Sequence, residues 1–304
     1  MSKTLAPSVV TSRDPKGFKF VSIIEAAYNK AGLSEEEAQR VNDTPGLAVL
    51  VGDFITRNRQ PDQFANEEVR SSYTYPKEYK GPKPIADQIK AIAKIFDLNP
   101  SQALKFANPP TGGLPALPEG AEGWFAIPSV DALAKKHFPE VTDPAQKYCQ
   151  AILLVHAKIT ASRSFYDYRE GQITPAQLRV HARTAHALDL IAETQKGDIL
   201  IIAAQLGMRH RGKSVRRARE VFMANEFGLG SLAIGSVVLT HPERLVRWEE
   251  LQMDCSGDEF AFDADGSFGS APCFDFVDVG VRFGALGVSV FGDLYGSASG
   301  FLTQ

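Results

Sequence analysis

The chain has 304 residues, 44% of them hydrophobic and 23% charged, enough apolar material for one large or two ordinary cores and too much for a disordered chain. A formal net charge of −3 argues against a general nucleic-acid coat while leaving room for a local basic site. Residues 1–7 have no apolar run of signal-peptide length, and the longest apolar stretches, such as 231–239, are far too short to span a membrane. Three cysteines, Cys149, Cys255 and Cys273, read as reduced thiols of a cytoplasmic protein.

Residues 1–17 lack periodicity and read as an arm. Val21, Ile24 and Tyr28 predict a short helix from Phe18 to Ala31. Ser34-Glu35-Glu36-Glu37 is a capping box, in which the serine accepts from the third amide while Glu37 reaches back, so a second helix starts there. Leu47 to Ile55 fits helix or strand. Residues 71–84 form a tyrosine- and proline-rich loop. Ile85, Ile89, Ile92 and Phe96 then mark a helix that Asn99-Pro100 stops, and Ser101 to Ala107 adds another turn of helix. From Asn108 to Gly120, four prolines and three glycines in thirteen residues cannot hold a helix or a central strand, which predicts a linker.

Gly123 to Pro128 reads as extended. Thr142 or Asp143 caps and Pro144 opens a helix toward Phe165, with Tyr148, Ile152, Val155, Ile159 and Ser162 inward. A second helix is predicted to start at Thr174-Pro175, with Leu178, Ala182, Ala185, Leu188 and Ala192 inward. Ile199 to Ala204 predicts a buried strand, Gly207 to Ser214 a basic turn, and Val215, Ala218 and Phe222 a helix. Leu232 to Leu239 fits a buried strand or helix, and His241-Pro242 opens a short helix. Val277, Val279, Val281 and Phe283 alternate with polar residues as in a half-buried strand, and Val288 to Phe291 reads as another. The fold class is α+β: a helical N-terminal region (1–107), a Pro/Gly linker (108–120), and a domain (121–304) whose helical middle packs with a C-terminal antiparallel sheet.

The chemistry concentrates in the basic stretch. Gly207 to Ser214 fits G-x-x-x-x-G-K-[ST] between a predicted strand and helix, so Lys213 and Ser214 could serve a nucleotide with Mg²⁺. Against this, the variable positions are large and basic where a phosphate cradle wants small residues, and no apolar strand ending in Asp follows. The charge pattern says more. Arg211, Lys213, Arg216 and Arg217, flanked by Arg209 and Arg219, sit at or just before a helix start, where each cation costs ~0.3–1 kcal/mol. An anion must offset them, either a bound ligand or the acidic C-terminal region, with Asp254, Asp258 and Glu259 as the counter-surface. His181 and His186 are five apart and diverge by ~140° on a helix, Cys255 and Cys273 lack zinc-like spacing, and Phe262 to Gly266 holds only part of a calcium loop. No metal site and no catalytic set is predicted.

Two stretches, Glu119 to Pro128 and the block from Gly207 through Asn225-Glu226-Phe227-Gly228-Leu229-Gly230 to Leu239-Thr240-His241-Pro242-Glu243-Arg244-Leu245, resemble a family of bacterial conserved proteins with no established function. The resemblance covers residues 115–304 and implies no activity, cofactor or catalytic residue. The sequence thus reads as a non-enzymatic binding or assembly protein that uses segment 209–219, Gly212 and Ser214 included, to engage a polyanion or an acidic protein surface. Its own C-terminal region, in the same or another copy, is one such surface; nucleic acid is not favoured, and no membrane or cofactor is implied. The alternatives are a nucleotide-binding enzyme using Gly207 to Ser214 and a self-assembling structural protein.

Overall fold

The computed structural model describes residues 15–44, 46–59, 63–109, 112–264 and 266–303. The chain separates into two compact units, 1–58 and 59–304. The first is helical: α1 (Pro15–Ala31), α2 (Glu35–Asn42) and α3 (Leu47–Arg59). Ser34 caps α2 as its spacing predicts, its Oγ accepting from the Glu37 amide at 3.3 Å while Glu37 accepts from the Ser34 amide at 2.8 Å. The undecided stretch from Leu47 is a helix.

The second unit begins with a strap, residues 63–84, followed by α4 (Ile85–Phe96) and α5 (Ser101–Ala107). The predicted boundary at 108–120 is not where the units divide: α4 and α5 belong with the sheets, because Ile89, Ile92 and Phe96 are fully buried in the same core as Phe125 and Ile127. Next come β1 (Gly123–Pro128), α6 (Val130–His137), α7 (Pro144–Ser162), β2 (Phe165–Asp167), β3 (Leu178–Val180), α8 (Ala182–Gln195) and β4 (Ile199–Gln205). After a 3-10 turn over Met208–His210 follow α9 (Val215–Glu220), β5 (Glu226–Gly228), α10 (Ser231–Thr240), β6 (Met253–Asp254), β7 (Asp258–Phe260), β8 (Ser270–Val277), β9 (Gly280–Gly287) and β10 (Ser299–Phe301). The class is α+β.

One sheet has the antiparallel order β1-β4-β10-β5, with Phe125 opposite Ile202 and Phe301 opposite Ala203. Two glutamines complete it. Gln88 of α4 donates to the Trp124 carbonyl and accepts from the Ala126 amide along the outer edge of β1, and Gln195 of α8 brackets Ile201 in the same way. An edge strand whose groups are taken by side chains offers no template for a further strand. The other sheet runs β2-β9-β8-β7-β3, with β6 also on β8; β2 lies parallel to β9 and the other pairings are antiparallel. α10 packs against α7, β1 and β8. Its residues from Ser231 to Val238 are all buried, which suits a helix apolar on every side.

Three predicted elements differ. Thr174 opens only one turn, accepting from the Gln177 and Leu178 amides. Leu178–Val180 then pairs with β7, so α8 starts at Ala182, capped by His181, and buries Thr184, Ala187 and Ile191 instead of the predicted face. The alternation from Val277 to Phe283 is not one strand, because Asp278 has φ 55° and makes the hairpin turn between β8 and β9, leaving Val279 in solvent. Val288 to Phe291 is not a strand; the Val288 carbonyl instead accepts from the Arg216 amide.

Candidate anion-binding cleft

The basic stretch lies at the centre of the second unit, sealed between the strap and the 293–297 segment. Gly207 (φ 118°) and Gly212 (φ 80°) are required here: a Cβ on Gly212 would sit 2.1 Å from the Val69 carbonyl oxygen, and one on Gly207 2.9 Å from that of Gly296. The amides that a phosphate loop would aim at its ligand are already bonded. Those of Gly207 and Arg209 donate to Gln205 Oε1, Met208 to Tyr75 Oη, His210 to Gly207, Gly212 to Tyr295, Lys213 to His210 and Ser214 to Glu67. Ser214 is fully buried and its hydroxyl donates to Glu67 at 2.7 Å, so it faces a carboxylate and not a metal ion. The segment has the pattern of a nucleotide loop without its geometry.

The cations meet their counter-charges inside the chain, but not those predicted. Arg216 grips Glu67 in two-toothed fashion and holds its carboxyl below the usual range. Arg217 bonds Glu68 at 3.0 Å and Glu220 at 2.9 Å, and Lys213 lies 3.8 Å from Glu68. Arg211 donates to the Tyr73 carbonyl. Arg209 lies 3.5 Å from Glu226, a fully buried carboxylate that also accepts from Ser299 and contacts His210, both at 2.6 Å. Burial pushes Glu226 up, but the His210 and Ser299 hydrogen bonds outweigh it and leave the carboxyl below its ordinary value; burial pushes His210 down.

The predicted counter-surface faces elsewhere. Asp258 accepts from Tyr148 Oη at 2.7 Å and from the Ser231 amide at 2.6 Å, at the start of α10. Asp254 accepts from Gln252, and Glu259 pairs with Arg179. Burial raises Asp258 to about 6 and Asp254 to about 7. Only Arg219 reaches this region, donating to the Ser256 and Asp258 carbonyls at 2.9 and 2.7 Å.

Beside α9 opens a cleft of about 290 Å³ lined by Gln63, Phe64, His181, Arg183, Arg216, Arg219, Glu220, Phe222 and Gly228. Sequence reasoning had marked Arg216 and Arg219 but missed His181 and Arg183, which the start of α8 delivers from thirty-odd residues upstream. Phe64 carries the Arg216 guanidinium 4.4 Å above its ring, and Phe222 lies 5.8 Å from that of Arg183. Among the described residues Glu220 is the only lining carboxylate, and it is engaged by the Gln63 and Phe64 amides and by Arg217. Arg219 differs from the other arginines of the segment that carry an ion pair: its bonds go to neutral carbonyls, so its charge is not cancelled by contact. His181 Nδ1 accepts from the Arg183 amide, so the neutral ring carries its proton on Nε2. Burial lowers the His181 pKa first, and the fields of Arg219, Arg183 and Arg179 lower it further against Glu259, which marks the cleft as electropositive.

Among the described residues, no group of three or more His, Cys, Asp or Glu side chains is placed to hold a metal ion. All three cysteines are free and buried. No helix is long and apolar enough to cross a membrane among the described residues. No protein-family model matches the chain, and neither does any curated protein or solved structure.

Proposed function

We propose that the protein is a non-enzymatic binding protein whose cleft beside α9 takes a carboxylate- or phosphate-sized anion carried by an acidic partner. One observation carries this reading: Arg183 and Arg219, which donate to neutral carbonyls, converge with Arg216 and His181 on a cleft whose one carboxylate among the described residues, Glu220, is already engaged. Groups that only donate select groups that only accept. The cleft volume suits one such group on a short stem, and is at the small end of what a free ligand of drug size needs. The Glu67 and Glu68 contacts take up the charge of Arg216, Arg217 and Lys213, so binding falls to Arg219 and the α8 side of the cleft, with Arg216 as lining. The nucleotide reading of Gly207 to Ser214 finds no support in this geometry.

Calorimetry and thermal shift with inorganic phosphate and with glutarate test the proposal. Both anions should raise the melting temperature at millimolar concentration, and added salt should weaken the effect. Arg183→Gln and Arg219→Lys should each reduce it several-fold. A wild-type response no larger than that to an uncharged amide, or one untouched by both substitutions, would sink the reading.

A further inference from the structure

The first unit presents its apolar residues outward. Among the residues of 15–58 with described side chains, only Asp53 is buried. Phe20 and Phe54 stack at 6.1 Å between α1 and α3, and little else inside the unit is shielded. Val21, Ile24 and Tyr28, spaced three and four apart, form a stripe along α1, with Phe18 beside it and Ile23 on another face; Leu47, Leu50 and Phe54, likewise spaced, form one along α3. Phe18 is 67% exposed, Leu50 60% and Phe54 56%. Phe18 and these two stripes leave on the order of 650 Å² of apolar surface in water, comparable with the ~800 Å² that each partner buries in an interface of standard size.

A helical unit this short does not hold itself together without a partner or a staple, and its described residues include no cysteine for a disulfide. Its charge is nearly balanced: Lys16, Lys19, Lys30, Arg40 and Arg57 against Glu25, Glu35, Glu36, Glu37, Asp43 and Asp53. Two copies therefore do not repel, and the acidic first turn of α2 can face the lysines of α1 in another copy. A patch with apolar stripes on both flanking helices and both signs of charge around them is complementary to itself under a two-fold axis. We propose that α1 and α3 are a self-association surface whose occupant is the same surface of a second copy.

Light scattering on the full chain from low to high micromolar concentration tests this, with Val21→Glu combined with Leu50→Glu. Both positions are exposed, so far-UV circular dichroism of the variant should match the wild type. Wild type should run as a dimer or larger, and the paired substitution should weaken association at least tenfold. Because the native thiols are buried, Glu25→Cys, within the α1 stripe, supplies one accessible thiol. A bis-maleimide should then link copies, and Val21→Glu with Leu50→Glu should abolish the link. A chain that stays monomeric throughout the range overturns the proposal, as does an oligomer unmoved by the paired substitution.

Discussion

The two units solve opposite problems. Residues 15–58 expose apolar side chains and bury almost nothing, whereas residues 59–304 bury charge: Glu226, Arg244 and Asp258 are completely inaccessible beside a core of phenylalanines and isoleucines. Buried charge is tolerated where its partners are fixed, and here they are: Glu226 meets His210, Ser299 and Arg209, Asp258 accepts from Tyr148 and Ser231, and Arg244 donates to the Leu206 carbonyl and lies over Tyr75. The first has no such constraint and depends on what covers it. Stability resides in the second unit and adaptability in the first.

The largest effect that would sharpen this contrast is Glu226→Ala. It removes the shared partner of His210, Ser299 and Arg209 and should cost on the order of 3–5 kcal/mol in urea unfolding. Glu36→Ala, on the exposed α2, should stay within ~0.5 kcal/mol. Equal costs would break the comparison.

Alanine in place of glycine should have opposite signs in the two units. A Cβ on Gly228 would lie 2.4 Å from the Ser256 backbone, which cannot swing away as a side chain can, so Gly228→Ala should cost ~1–3 kcal/mol. Gly52, inside α3, has nothing within 4 Å, and Gly52→Ala should add up to ~1 kcal/mol of helix stability, read as helicity on heating. A stabilising Gly228→Ala would show that the crossing of the two backbones is looser than its distances.

The pH response should also belong to the second unit. Asp254, raised from 3.8 to about 7, holds its proton in the folded state more tightly than in the unfolded one. Its contribution is therefore fully present below pH 4 and is lost as pH rises toward 7. His241, lowered to about 4 by burial, works the other way between pH 4 and 6.5, so the wild-type curve partly cancels. Comparison with Asp254→Asn isolates the aspartate: the melting temperature of the variant relative to wild type should climb from pH 4 to 7 and then level. A flat difference would mean that Asp254 is ionised throughout.

Much of the local structure was legible because its causes are local. Ser34 with Glu37, Asp143 with Pro144, and the unbroken apolar run of β4 each declare an element within a few residues. Where a reading failed, a distant partner decided. Leu178 has helical spacing, but Phe260 draws it into a ladder; Val277 and Val279 alternate like a strand, but a left-handed Asp278 between them turns the chain. The candidate site followed the same rule. Crowded cations at the start of α9 implied a counter-anion, and one exists inside the chain, but charge alone cannot say whether it comes from Asp258 or from Glu67, which lies 149 residues before Arg216. His181 entered the sequence reading only as a rejected metal ligand and Arg183 not at all, since only the start of α8 brings them to the cleft.

The place of β10 has a consequence for biosynthesis. This strand, residues 299–301, lies between β4 and β5. At ~5–20 residues per second, β4 therefore waits on the order of 10 s with one edge unpaired, and Glu67 waits as long again for its arginine. During that interval the nascent chain leaves the Ala203–Gln205 end of the strand open to a neighbour, while Gln195 guards the edge at Ile201. The second unit thus cannot finish folding before residue 301 has been made, and its yield in a cell should depend on how well that one open edge is shielded until then.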